Sequence, residues 1–131
     1  MPNEQERRKY LRMPVERLLK CEKYSIPRPP ESERLQLKTK NLSGGGLLFS
    51  SKQEFKPGDL LRLEVDLSGW EKYKPEFYKP DATISSKPLM ILASVSRVQP
   101  QKDGTFDIGV SYSGLDEGHR LALIKFLKAH K

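Results

Sequence analysis

Three arginines, Arg7, Arg8 and Arg12, fall within six residues near the start of the sequence. A guanidinium group is planar and permanently charged. It can fork onto a phosphate, hold the O6/N7 edge of a guanine bidentately, or stack on a base. Three of them close together can divide those tasks. About thirty residues further on stands Asn41-Leu42-Ser43-Gly44-Gly45-Gly46. Its glycines free the backbone to turn sharply and leave room for a planar ligand. The Asn41 carbonyl and the Ser43 hydroxyl can accept hydrogen bonds from a guanine edge or a ribose, and backbone N–H groups of such a turn can face an anion. Taken singly, each segment has a plainer reading. Arginines near a terminus are usually solvated surface, and a glycine-rich turn is usually a tight connection between strands.

The elements that must position these residues are mostly short strands. Leu61, Leu63, Val65 and Leu67 interleave with Arg62, Glu64 and Asp66; Phe106, Ile108, Val110 and Tyr112 interleave with Asp107, Gly109 and Ser111; Leu35, Leu37 and Thr39 interleave with Gln36, Lys38 and Lys40. This period of two is that of a half-buried strand. Weaker strand patterns cover Val15 to Cys21, Gly46 to Ser50 and Ile91 to Val98, making about six strands. Lys56-Pro57-Gly58-Asp59 and Lys102-Asp103-Gly104 supply turns between them. Many short strands punctuated in this way predict a barrel or sandwich. The last segment differs: Asp116 can cap a helix from Glu117 to about Ala129, with Leu121, Leu123, Ile124, Phe126 and Leu127 as an apolar arc packing over one end.

Arg7, Arg8 and Arg12 precede the first strand in a segment that Pro14 discourages from continuing as a helix, so an arginine-bearing arm is expected. Tyr24 to Ser32, with Pro27, Pro29 and Pro30, reads as a loop. Trp70 to Pro88 combines Trp70, Tyr73, Phe77 and Tyr78 with three prolines. These aromatics suit either a local minicore or a partner surface, with the minicore favoured because large rings usually bury themselves.

The arm Arg7-Arg8-Lys9-Tyr10-Leu11-Arg12 followed by the turn Asn41-Leu42-Ser43-Gly44-Gly45-Gly46 resembles the paired RxxxR and [D/N]xSxxG signature of the PilZ domain family. Lys56-Pro57-Gly58-Asp59 and the run Asp107 to Asp116 before the terminal helix resemble later landmarks of the family, so the similarity extends from about Glu6 to Ala129. The resemblance implies a six-stranded antiparallel β-barrel with a C-terminal helix, in a single domain: residues 1–13 a flexible arm, 14–114 the barrel and 115–131 the helix. It also implies binding of the bacterial second messenger cyclic di-GMP. Arg8 and Arg12 would grip phosphate and guanine, Asn41 and Ser43 would read a guanine edge, and Gly44, Gly45 and Gly46 would allow close approach. Arg7, just outside the minimal RxxxR, would add a stacking and phosphate contact and help to hold a stacked ligand pair. Asn41 stands where Asp is common; its neutral amide offers one acceptor oxygen without charge assistance.

Composition bounds the alternatives. The 131 residues suit one domain. The 24 Lys and Arg against 17 Asp and Glu give a net charge of +7, concentrated in the first third, which attracts phosphates in nucleotides, nucleic acid or lipid head groups alike. Cys21 is the only cysteine, so no internal disulfide forms and no cysteine metal cluster exists. The polar start and the absence of an apolar run near the roughly 20 residues that span a bilayer lead to the expectation of a cytoplasmic protein without membrane insertion. His119 and His130 lie at or near the helix and read as surface, and no nucleophile has a partnering base; an enzyme is not expected, nor a metal or cofactor beyond the ligand. The expected function is a cyclic di-GMP receptor that signals in trans to a protein effector. The alternative is a PilZ-like interaction adaptor without ligand, as in pilus or motility machinery. A basic nucleic-acid-binding barrel ranks last, because Tyr10 is the one aromatic interleaved with the arm.

Overall fold

The computed structural model describes residues 12–24, 34–67, 70–73 and 88–130. The segments carrying Arg7, Arg8, Pro27 to Pro30, Phe77 and Tyr78 lie outside the described residues. Among the described residues seven strands run in chain order: β1 (Arg12–Met13), β2 (Leu18–Lys23), β3 (Leu35–Ser43), β4 (Gly46–Ser51), β5 (Leu60–Val65), β6 (Leu89–Pro100) and β7 (Phe106–Gly114). A 3-10 turn at Trp70–Tyr73 falls between β5 and β6, and a helix, α1 (Glu117–Ala129), closes the chain. The neighbours follow the order β3-β2-β5-β6-β7-β4, every pair antiparallel, and β4 returns to β3. The result is the closed six-stranded barrel with a C-terminal helix that the family resemblance implied, one of the two architectures left open by the alternation, with the two-residue β1 laid on β3 in addition.

Closure follows from the residue pattern. Leu61, Leu63, Val65 and Leu67 all point inward and are buried, as are Ile108 and Val110 on β7. With Leu42, Leu47, Phe49, Ile91 and Val95 they form one continuous core. A closed sheet also has no free edges in its ring to pair with other chains. The two expected turns hold, and both use a glycine with positive φ, Gly58 (96°) and Gly104 (88°), a region that costs glycine little.

β1 and β2 both border β3, separated by the stretch around Pro14. β1 pairs with the end of β3 (Arg12 opposite Ser43, Met13 opposite Leu42), whereas β2 pairs with its beginning. Thr39 stitches the gap. Its hydroxyl donates to the Val15 carbonyl (2.7 Å) and accepts from the Arg17 N–H (2.9 Å), while its own N–H donates to the Arg17 carbonyl (2.9 Å). Thr39 is buried and the Val15 and Arg17 backbone that its hydroxyl bonds is half-buried.

Asp116 caps α1 by accepting from the His119 N–H (3.1 Å). The buried stripe is Gly118, Ala122, Leu123, Phe126 and Leu127. Leu121, expected within the apolar arc, is instead exposed (48%), because a stripe centred on Ala122 and Phe126 leaves position 121 on the far side of a 3.6-residue turn. His119, expected at the surface, is half-buried with its ring edge against Trp70 (5.1 Å between centroids). Trp70 is buried and Tyr73 packs edge-on against Phe126. Within the described residues these two aromatics therefore belong to the core, beneath the helix.

On the outer face, Glu22 is buried between Arg34 (3.2 Å) and Arg62 (3.1 Å). Cys21 faces the core, and burial pushes its thiol up to about 12 from an ordinary 9.0. The unfolded chain therefore ionises first: the thiol's contribution to stability is fully present below about pH 9 and is lost as pH rises towards 12. Thermal unfolding followed across this range should show an alkaline decline that is shallower in Cys21→Ala. For Thr39→Val, which keeps the shape but strands the Val15 carbonyl and the Arg17 N–H, denaturant unfolding should show a loss of about 1–3 kcal/mol.

Candidate functional site

The segment Asn41 to Gly46 was expected to be a turn. Asn41, Leu42 and Ser43 are in fact the last residues of β3, and Gly46 is the first of β4, so the reversal itself is only Gly44-Gly45. Extended backbone continues through residue 43 because Leu42 is a core residue, fully buried opposite Leu47 and Met13. The side chains on either side of Leu42 consequently point to the other face of the sheet, which puts Asn41, half-buried, and Ser43, buried beneath the turn, on one side of it.

Arg12 is brought to the same surface. Its partner Met13 in β1 is buried, Arg12 is exposed, and the register sets Arg12 directly across from Ser43. The end of the arginine arm and the glycine turn, separated by some thirty residues in sequence, are therefore adjacent strands here. Arg7 and Arg8 lie outside the described residues.

Ser43 organises the turn. Its hydroxyl accepts from the N–H groups of Gly45 (3.2 Å) and Gly46 (3.1 Å) and donates to the Gly46 carbonyl (3.0 Å). The hydroxyl and the two amides that sequence reasoning assigned to ligand contacts are thus bonded to one another in this structure. The carbonyls are fixed from behind. Tyr112 donates its phenol to the Ser43 carbonyl (3.0 Å) and its N–H to the Gly45 carbonyl (3.0 Å), and the Arg120 guanidinium donates to the Gly44 carbonyl between them (2.6 Å). Burial raises the Tyr112 phenol well above its ordinary range, with the Arg120 charge opposing in part, so Tyr112 stays a neutral donor.

Gly46 has a structural role of its own. A Cβ there would overlap the Val110 carbonyl oxygen of β7, so only glycine lets β4 lie this close. Its absent side chain serves the barrel's closure, whatever else it serves.

Sequence reasoning missed Arg120 and the clamping role of Tyr112. Tyr112 was visible only as one of the alternating apolar residues of β7, and Arg120 drew no notice on its helix. Arg120 also pairs with Glu117 at i,i+3 (3.2 Å). Its reach to Gly44 depends on how α1 docks, for which no local pattern exists. Among the described residues no group of His, Cys, Asp and Glu could hold a metal ion, and no helix is long and apolar enough to cross a membrane.

The PilZ domain family matches residues 6–129. The chain belongs to the PilZ family. Solved structures give the same fold at low identity. The Bacillus subtilis inhibitor of motility MotI/DgrA superposes with a TM-score of 0.67 at 20% identity, covering 99% of this chain and 56% of MotI. The PilZ domain of YcgR from Escherichia coli, solved with c-di-GMP, gives 0.62 at 14% identity, covering 95% of this chain and 93% of that one. MrkH of K. pneumonia, in complex with c-di-GMP, gives 0.54 at 17% identity, covering 95% and 55%. The chain thus spans little more than half the length of MotI and of MrkH. No curated protein matches the sequence.

The clamp on the turn carries a test. Arg120→Ala should raise hydrogen exchange at the amides of Gly44 to Gly46 and lower stability by about 1–3 kcal/mol, the usual cost of removing a charged donor from a half-buried carbonyl. Gly46→Ala should be costlier to the fold than its one added carbon suggests, with a lower denaturation midpoint, because a backbone oxygen has to move.

Proposed function

We propose that this PilZ domain is a receptor for cyclic di-GMP that changes shape on binding and signals in trans to a protein partner. The observation that supports it most is the register of β1 on β3, which holds the last arginine of the RxxxR motif opposite the serine of the NxSxxG motif. A dianion placed over this surface would meet Arg12 from one side and the amides of the turn from below. Asn41, half-buried beside them, offers its amide oxygen to a guanine N–H edge. The arm residues Arg7 and Arg8 are assigned phosphate and guanine contacts, and their ordering around the ligand would supply the change of surface. YcgR and MrkH are both described in complex with c-di-GMP. PilZ proteins are binding and adaptor proteins rather than enzymes, and this chain is read in the same way.

A second reading, an adaptor without ligand, draws on one observation: the Ser43 hydroxyl and the Gly45 and Gly46 amides already satisfy one another. On the receptor reading these bonds loosen as the ligand takes over. MrkH is described as a c-di-GMP-dependent transcription regulatory factor, so nucleic acid stays among the partners to be tested.

Calorimetric titration with cyclic di-GMP separates these readings. The receptor reading expects binding that weakens with added salt. In Arg8→Ala/Arg12→Ala it expects a loss of more than about tenfold, since a hydrogen bond to a charged group contributes about 1.5–3 kcal/mol. No heat at tens of micromolar with the parent protein, or unchanged affinity in the double variant, would leave the adaptor reading.

A further inference from the structure

On one side of the barrel the usual order of exposure is inverted. In the ring of strands β5 stands across from β4, so the outer face of β2, β5 and β6 looks away from the glycine turn. Its outward residues fall in rows: Leu18 beside Asp66, then Lys20, Glu64 and Met90, then Glu22, Arg62 and Leu92, then Tyr24 beside Leu60. The charged groups at the centre are the covered ones. The side chains of Glu22, Arg34, Glu64 and Arg62 are 3%, 16%, 18% and 21% exposed. Around them Leu18 (61%), Met90 (43%), Leu60 (38%) and Tyr24 (38%) stand open to water. These are four of the five large apolar side chains exposed among the described residues, the fifth being Leu121 on α1. A single exposed leucine is ordinary surface, whereas several gathered on one face mark a place where another surface docks.

The centre is covered because its charges satisfy one another. Glu22 accepts from Arg34 (3.2 Å) and from Arg62 (3.1 Å), Arg34 also reaches Glu64 (3.8 Å), and the Arg62 guanidinium lies over the Tyr24 ring (5.1 Å). Charges held in this way have already given up most of their water, so a partner laid over them removes little more. Tyrosine, methionine and arginine are also the residues enriched at the middle of protein interfaces.

The charge balance identifies the occupant. Copies of a chain of net charge +7 repel one another, and they can meet closely only where the local charge cancels. Here Lys20, Arg34 and Arg62 stand against Glu22, Glu64 and Asp66, with Lys38 at the border on β3. A strongly acidic or basic partner gains little from such a face. A second copy brings the same balanced surface, and a two-fold axis through it lets the apolar rim of one copy cover that of the other. The rows span roughly 10 Å by 20 Å between Cα positions, less than the about 800 Å² a side of a standard stable interface, so the contact is weak and depends on concentration.

We propose that the outer face of β2, β5 and β6 is a self-association surface on which two copies of this domain form a weak two-fold dimer, leaving Arg12 and the glycine turn of each copy open. Such a dimer needs no ligand, so it stands or falls apart from the receptor reading.

Sedimentation of the full chain from about 10 to about 500 µM should show the mass rising from 15.1 kDa towards twice that value. Raising salt from about 50 to about 500 mM should strengthen the association, because it screens the repulsion between copies and leaves the apolar contact in place. Met90→Glu and Leu60→Glu, each of which sets an unpaired charge in the contact, should weaken it by about tenfold or more. Both side chains are exposed, so the melting temperature should stay near that of the parent. Leu121→Glu, the same change on α1, should leave the association at the parent level. A mass of 15.1 kDa at every concentration overturns the proposal. So does association that salt abolishes, or a loss in Leu121→Glu equal to that in Met90→Glu and Leu60→Glu. Met90 and Leu60 lie on different strands, so either variant decides the matter should the other fail to fold.

Discussion

The barrel closes at the point where β4 lies against the backbone of β7, and Gly46 is the residue that allows it. Because no side chain separates the two strands there, the Gly44-Gly45 reversal is drawn over Tyr112. Tyr112 can then hold the carbonyls on either side of Gly44 while Arg120 reaches the one between them. The same closeness joins three elements distant in sequence: the β3–β4 turn, β7 and the first turns of α1. A displacement of the turn would thus be felt at the helix through Arg120, and at the buried Trp70 through His119 beside it.

Thr39 does the corresponding work for the arm. Pro14 lacks an N–H, so β1 cannot simply run into β2. The threonine hydroxyl supplies the bonds that the interrupted ladder lacks. Arg12 stays in register with Ser43 on that account. The site is in this sense a product of two repairs to the sheet, a glycine where strands are too close and a threonine where one strand is broken.

The barrel was legible in the sequence where side chains alternate without interruption. Leu61 to Leu67 and Phe106 to Tyr112 announce both their strands and their inward faces, because a period of two has one meaning on a pleated sheet. The pairing of arm and turn was legible through motif resemblance alone, since nothing local in Arg12 tells of Ser43. Several features were not legible. Leu121 joined the expected arc because periodicity gives a stripe's width poorly when apolar residues flank it on both sides. The glycines of residues 44–46 look alike in sequence, yet Gly46 is fixed by a neighbouring carbonyl that only the fold reveals. Arg120 is one polar residue on an amphipathic helix, and its significance comes from the docking angle that carries it to the Gly44 carbonyl.

Amide chemical-shift mapping of the full chain during addition of cyclic di-GMP tests the central claim most directly. The largest shifts are predicted at Arg12 and Asn41 to Gly46, with secondary shifts at Arg120 and its neighbours in α1. Shifts confined to the opposite outer face around Leu18 and Met90, or none at all, would contradict a receptor site between the arginine arm and the glycine turn.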